Sequence, residues 1–277
     1  MTTMTAKRAS FWPTQASLTN CGPMSDSGAF SEDAFLGGQL HLRQPKAGHR
    51  AGHDAMLLAA ATAARSGDRV VELGAGVGAA GLAVAKRVAG IELVLVEIDA
   101  TLASLARGNA ARNSIDARVI VLDVASAAGG FAAAGLPPDS VDLVLMNPPF
   151  NDPARHRASP DKGREIAHLA TETTLESWIH AGRRILKSGG VLTLIWRADG
   201  LAEVLAALGR GFGSLAILPV HGDARSPAIR VLIRAVKGGK APVRMLAALM
   251  LNDESAVPNK AVQEVLAGKG ILPLAIP

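Results

Sequence analysis

Between Arg69 and Gly81 the chain reads Arg-Val-Val-Glu-Leu-Gly-Ala-Gly-Val-Gly-Ala-Ala-Gly, a short apolar strand that breaks into glycines at alternate positions and then enters an Ala-rich helix. Gly74, Gly76 and Gly78 let the backbone turn sharply and come close to a ligand, and the helix that follows opens with unpaired N–H groups. About twenty residues further on, at the end of the next apolar run, stands Glu97. A carboxylate at that point can accept both hydroxyls of a ribose, and in an open parallel sheet ligands bind at the carboxyl ends of the strands. The pattern predicts a nucleoside-shaped site.

The rest of the chain repeats the same strand–helix alternation. Strands are expected over 69–73, 92–96, 118–122, 141–146 and 190–196, and helices over 54–65, 79–88, 100–112, 175–186 and 201–208. The strands are near-continuous apolar runs, so both faces of the sheet are covered. Residues 215–220 and 229–235 read as two more strands, and the loop between them is too short for a crossover helix, which makes them an antiparallel pair at the sheet edge. A weak strand over 39–44 and a last helix over 257–267 complete the expectation: a Rossmann-like α/β domain with a mostly parallel seven-stranded sheet, an antiparallel C-terminal hairpin and helices on both faces. Residues 1–36, rich in Ser, Thr, Gly and Pro up to about Glu32 and without a sustained period, read as a disordered tail, with Met24 as an alternative start; 37–277 read as one folded domain.

Bulk properties narrow the function classes. The 277 residues are 49% hydrophobic and 19% charged, which is globular and not disordered. No apolar run approaches the eighteen or so residues of a membrane span, and no secretory signal opens the chain. A lone cysteine, Cys21, forbids an intrachain disulfide and fits a cytoplasmic location, and the seven histidines show no metal-ligand spacing, so no metal is expected. The net charge is +5, and residues 221–250 hold six basic residues (Arg225, Arg230, Arg234, Lys237, Lys240 and Arg244) against Asp223 alone, which accounts for all of it. Such a local excess suits a polyanion, although a solvated strand-and-loop surface explains it equally well.

Gly76 to Gly81 match the dinucleotide fingerprint, but Glu72 stands just before the loop. A carboxylate there repels a pyrophosphate and attracts the cationic amino and sulfonium groups of S-adenosylmethionine, which favours the methyl donor over NAD. Asp123, closing the third strand, is placed to accept from the adenine amino group. Ile98 is placed to cover the adenine face, and Asp99 to cap the next helix.

The fourth strand ends in Asn147-Pro148-Pro149-Phe150. Consecutive prolines fix φ and remove two donors, leaving rigid bare carbonyl acceptors. The Asn147 side-chain carbonyl beside the Pro148 carbonyl matches the two hydrogens of an amino group, and Phe150 can lie against a flat base or amide. An exocyclic amino nitrogen is a poor nucleophile because its lone pair is delocalised. Accepting both N–H groups favours a pyramidal nitrogen and stabilises the charge that develops on it. A strand terminator followed by a turn is the plain alternative for such a tetrapeptide.

At these residues the chain resembles the class I methyltransferases, and among them the group with an Asn-Pro-Pro-Tyr/Phe motif that methylates amino groups. It is most similar to the bacterial family that methylates N6 of the adenine beside the anticodon of a valine tRNA. Gly52-His-Asp-Ala-Met-Leu-Leu58 resembles that family's block before the glycine loop, Asn147 to Phe150 match its catalytic motif, and Ser226-Pro-Ala-Ile-Arg230 resembles its late hairpin element. The resemblance implies S-adenosylmethionine as cofactor, held by Glu72, Gly74, Gly76 and Glu97 with Asp54 on the cofactor side, and a target base held by Asn147 to Phe150. His53 replaces a usual hydroxyl residue, and Phe150 a usual tyrosine. The expected partner is RNA, held at its phosphates by Arg155, Arg157 and the Arg225 to Arg244 patch, with Arg225 and Arg230 at its head. Glutamine-amide and ribosomal guanine-N2 methylation share the motif and stay open, as do an NAD-dependent oxidoreductase and a non-catalytic RNA-binding module.

Overall fold

In a computed structural model the described residues are 29–47, 50–149, 175–209, 211–253 and 257–276. They form a three-layer α/β/α unit around a nine-stranded sheet, with a separate two-stranded hairpin. The parallel strands are β3 (Arg69–Leu73), β4 (Glu92–Glu97), β5 (Ala117–Val121), β6 (Val141–Met146) and β7 (Leu186–Arg197), and the antiparallel pair is β8 (Phe212–His221) with β9 (Ala228–Lys237). The hairpin is β1 (Phe30–Phe35) with β2 (Leu40–Pro45). Two short strands, β10 (Arg244–Met245) and β11 (Leu249–Met250), add to the outer edge of β8. From that edge the order runs β10, β8, β9, β7, β6, β3, β4, β5.

Alternate residues of each strand feed two cores. Val70, Leu93, Leu95, Leu143, Leu145 and Ile195 face α1 (His53–Ala61), α2 (Ala79–Arg87), α3 (Ala100–Arg112) and α7 (Lys260–Leu266). Val71, Leu73, Val94, Val96, Val144 and Met146 face α4 (Ala128–Ala133), a helix α5 over residues 175–185, and α6 (Leu201–Leu208). With both faces covered the parallel strands carry no polar alternation, and each fully buried Leu or Val contributes about 1.5–3 kcal/mol.

The expected fold class holds, with differences in detail. Residues 30–35 are not tail: Phe30–Phe35 pair with Pro45–Leu40. The polar positions of β1 hid it, since Asp33 points to a network and not to a core. Its Oδ2 accepts from Ser31 Oγ (2.9 Å), Gln44 Nε2 (2.7 Å) and Arg50 Nη2 (2.7 Å). Helix α1 stops at Ala61, not at residue 65, because Thr62 turns extended and Arg87 Nη2 caps the carbonyls of Ala59 (3.0 Å) and Thr62 (2.6 Å). Helix α4 was not expected at all. Its sequence AGGFAA shows no period, and it is anchored by buried Phe131, over which Arg184 stacks at 4.8 Å. Among the described residues no helix is long and apolar enough to cross a membrane, and no His/Cys/Asp/Glu group could hold a metal ion.

Asp33→Ala strips an acceptor from three donors at once, one of them the buried amide of Gln44. A loss of about 1–3 kcal/mol in urea unfolding is expected, and an unchanged midpoint would show that β1 adds nothing to the fold.

Candidate active site

Strand register sets the geometry. Leu73 pairs with Val96 on one side and with Met146 on the other. The next residues, Glu97, Gly74 and Asn147, therefore leave three adjacent strands at one level, about 5 Å apart from strand to strand. Glu97 pairs in turn with Val121, which brings Ile98 and Asp123 to the same edge. The antiparallel hairpin joins them: Arg197 at the carboxyl end of β7 pairs with Arg230 near the start of β9, so the β8–β9 turn, with Arg225, also lies at the carboxyl edge.

The glycine loop adopts the backbone that its sequence demands. Gly74, Gly76 and Gly78 have φ of +68, +56 and +87°, where side chains are strained. Glu97 is 7% exposed, and its Oε2 accepts from Gly76 N at 2.6 Å while Oε1 accepts from Asp99 N at 2.9 Å. A carboxylate has about four acceptor positions, so two remain for a ligand. A side chain built on Gly76 would meet nothing within 4 Å, which leaves open space over the middle of the loop. Ile98 is 61% exposed, an apolar face left uncovered beside Glu97. Asp123 is exposed and uses Oδ1 on the Ala125 N–H at 2.8 Å. Asp99 caps α3, as expected, through the N–H groups of Thr101 and Leu102.

Asn147 is the outlier in this neighbourhood. Its Oδ1 is buried without a hydrogen-bond partner among the described residues, between Met146 at the end of β6 and a buried Pro148. Phe150, Arg155 and Arg157 lie outside the described residues.

Three expected roles change once the side chains are placed. Glu72 does not face the loop's open side: it is 5% exposed, and its Oε2 accepts from Gly81 N inside α2 at 2.7 Å. Burial above all, opposed by the Gly81 bond and reinforced by the Glu97 charge, pushes its pKa up to about 8. Burial thus opposes the negative charge that the sequence suggests at this position. Asp54 and Arg230, expected on cofactor and RNA respectively, are partners: Asp54 Oδ2 meets Arg230 Nε at 2.9 Å, tying the start of α1 to β9. The basic stretch does not form one patch. Arg225 sits at the hairpin tip, whereas Lys237, some 24 Å from Arg230 along the strand, is bonded to Asp139 at the opposite edge. Arg234 lies between them, with Nη1 towards the Ile276 carbonyl at 3.4 Å.

Two features were not singled out as site residues. Trp178 of α5 packs so tightly on Gly74 that a Cβ there would stand 2.1 Å from its ring. Asn109 of α3 reaches the loop at the Val77 carbonyl (3.0 Å). A cavity of about 260 Å³ opens elsewhere, between the β1–β2 bend and Gly52–His53, and burial holds the His53 pKa below its usual range despite Asp54. Neither Gly74 nor Glu97 lines that cavity.

Comparison with known proteins is decisive for the class. The methyltransferase small domain family matches residues 52–222, and the chain belongs to that family. It is a class I methyltransferase whose methyl donor is S-adenosylmethionine. It is similar to a structure titled a predicted O-methyltransferase, protein Atu636 from Agrobacterium tumefaciens (33% identity, TM-score 0.66, covering 79% of this chain and 98% of that one). It is 26% identical to the tRNA1(Val) (adenine(37)-N6)-methyltransferase of Bacteroides thetaiotaomicron, over 82% of this chain and 87% of the relative. The release factor glutamine methyltransferase of Chlorobaculum tepidum is 28% identical over 54% of this chain and 52% of its own.

Glu72 yields a pH prediction. Its folded pKa of about 8 lies above the ordinary 4.5, so the folded chain keeps a proton that the unfolded chain has released between those values. Stability therefore falls as pH rises through that window, by up to about 1.4 kcal/mol per pH unit from this group. Glu72→Gln retains an acceptor for Gly81 and should flatten the decline in Tm between pH 5 and pH 8; parallel profiles for the two proteins would refute the shift.

Proposed function

We propose that the chain methylates an exocyclic amino nitrogen, N6 of an adenine in tRNA. The buried, unpartnered Oδ1 of Asn147, level with Gly74 and Glu97, carries this reading. A buried acceptor left unpaired costs about 1–3 kcal/mol, and an amino group on a substrate supplies the missing donor. The bacterial relatives named as tRNA adenine-N6 methyltransferases support the substrate, at 26–29% identity.

The residues present fit the donor. Open space over Gly76 admits a ligand against bare backbone, the free positions of Glu97 suit ribose hydroxyls, exposed Ile98 suits the adenine face, and Asp123 keeps its second oxygen for the adenine edge. Gly74 and Gly78 shape the loop, and Glu72 serves by fixing α2 beneath it. Asp54 holds Arg230 through Oδ2, and its place on the donor side rests on the resemblance of the block from Gly52 to Leu58.

When bound, the donor supplies an electrophilic methyl group on a sulfonium. The protein's part is alignment. Asn147 Oδ1 and the Pro148 carbonyl would accept the two amino hydrogens and turn the nitrogen lone pair towards the methyl, and the aromatic residue type at position 150 suits a flat base. Positive charge developing on nitrogen is met by those fixed oxygens. The proton leaves after transfer, when the nitrogen is acidic, so no strong base is needed beside it.

Arg225 at the carboxyl-edge turn, with Arg155 and Arg157 on the segment after the motif, would meet RNA phosphates. Arg230 serves through Asp54 and not as a free cation. A base in an anticodon loop is already partly unpaired and costs a few kcal/mol or less to extrude.

Labelled donor offered to total tRNA, total rRNA and release factor, with nucleoside digestion and mass spectrometry, should yield N6-methyladenosine in tRNA. Asn147→Ala should lower the rate by about 10²–10³ with the donor still bound. A methylated glutamine or guanine would move the substrate and keep the reaction; an O-methylated product, or full activity in Asn147→Ala, would sink the proposal.

RNA binding should also weaken with salt. Arg225→Ala should reduce the slope of log K against log salt by about one, whereas Lys237→Ala, at the far edge, should leave it unchanged. Equal effects of the two would contradict the placement of RNA at the carboxyl edge.

A further inference from the structure

Asn109 and Asn113 are the two buried asparagines of the described core, 1% and 8% exposed, and they lie four residues apart on α3. Four helical residues advance about 6 Å and two strand residues about 6.7 Å, so their amides stand at the spacing of alternate residues in a strand. They use it on β2. Asn109 Oδ1 accepts from Arg43 N (2.8 Å) and its Nδ2 donates to Arg43 O (3.0 Å). Asn113 Oδ1 accepts from His41 N (2.9 Å) and its Nδ2 donates to His41 O (2.7 Å). A helix face thus imitates a neighbouring strand and closes the edge of β2 that β1 does not cover.

The two amides differ in one contact. Asn113 Nδ2 also donates within α3, to Asn109 O at 2.7 Å, whereas Asn109 Nδ2 also donates to Val77 O at 3.0 Å. Val77 lies between Gly76, whose N–H is held by Glu97, and Gly78. The loop is therefore gripped on both sides, by a carboxylate at an N–H and by an amide at the following carbonyl. With φ positive at Gly76 and Gly78 the loop has many other conformations available, and the open space over Gly76 offers no protein packing to exclude them.

We propose that Asn109 is a positioning residue for the methyl donor: its amide joins the β1–β2 hairpin to the glycine loop and holds the loop in its binding conformation before the donor arrives. The inference rests on the donor site being the open space over Gly76 beside Glu97. Without the Val77 contact, part of the binding free energy is spent on ordering the loop.

The test compares Asn109→Asp with Asn113→Asp. Each keeps an acceptor for β2 and loses the amide donors, but only the first removes a contact to the loop. S-adenosylhomocysteine binding by calorimetry, thermal unfolding and amide hydrogen exchange across residues 74–78 are read on the full chain. Asn109→Asp should weaken S-adenosylhomocysteine about tenfold more than Asn113→Asp, the cost of roughly one hydrogen bond, and speed exchange in the loop, while both variants lower Tm because each buries a carboxylate against carbonyl oxygens. If Asn109→Asp does not fold, Asn109→Ala against Asn113→Ala gives the same comparison. Equal loss of affinity in the two variants, or none in Asn109→Asp, overturns the inference while leaving the donor site intact. A wild-type chain that binds no S-adenosylhomocysteine overturns the site itself, and the inference with it.

Discussion

The register of three strands is what makes a site out of scattered residues. Leu73 is paired on both sides, with Val96 and with Met146, so Glu97, Gly74 and Asn147 emerge at one height although 73 positions separate the last two in sequence. A slip of one residue in either pairing would turn every side chain of the moved strand to the other face, exchanging Leu143 and Leu145 for Val144 and Met146 in the two cores. The hydrophobic packing on both faces thus fixes the alignment of the polar edge.

Around that row the polar side chains divide into those that hold the scaffold and those left for a ligand. Glu72 and Asn109 are spent on backbone: one on Gly81 under the loop, the other between Arg43 and Val77. Trp178 covers Gly74 from the α5 side, which demands glycine there by contact as well as by φ. Glu97 does both, bonding Gly76 and Asp99 while keeping acceptor capacity. The open surface is consequently small: the middle of the loop at Gly76 and the exposed Ile98, with the unpartnered Oδ1 of Asn147 buried beside them.

Most of the architecture was legible because it rests on local pattern. Helices 100–112 and 201–208 and strand 141–146 were expected at their observed bounds, and the glycine loop announced itself through positions that require positive φ. What escaped depends on contacts remote in sequence. Nothing in FSEDAF marks a strand until Asp33 finds Gln44 and Arg50, and AGGFAA becomes a helix by anchoring Phe131. Charge was the least transferable signal. Six basic residues within thirty positions look like one patch, but a ten-residue strand spreads three of them, Arg230, Arg234 and Lys237, from one edge of the sheet to the other, and Arg230 and Lys237 are met by acids distant in sequence. Likewise an acid before the glycine loop reads as a charge, whereas burial raises its pKa and opposes that charge.

Unpaired buried groups are not by themselves signs of function, and the comparison of two of them shows what is. Thr193 Oγ1 and Asn147 Oδ1 are both buried without a partner, on adjacent strands. Thr193 pairs with Leu145 inside the sheet and is fully enclosed, so no ligand reaches it and its unmet bond is a plain cost of packing. Asn147 stands just beyond the last ladder pair, where Pro148 and Pro149 remove the N–H groups that would otherwise satisfy it. The same local chemistry that ends the strand therefore leaves the acceptor unpaired at the carboxyl end of the sheet, where the proposed amino group would complete it.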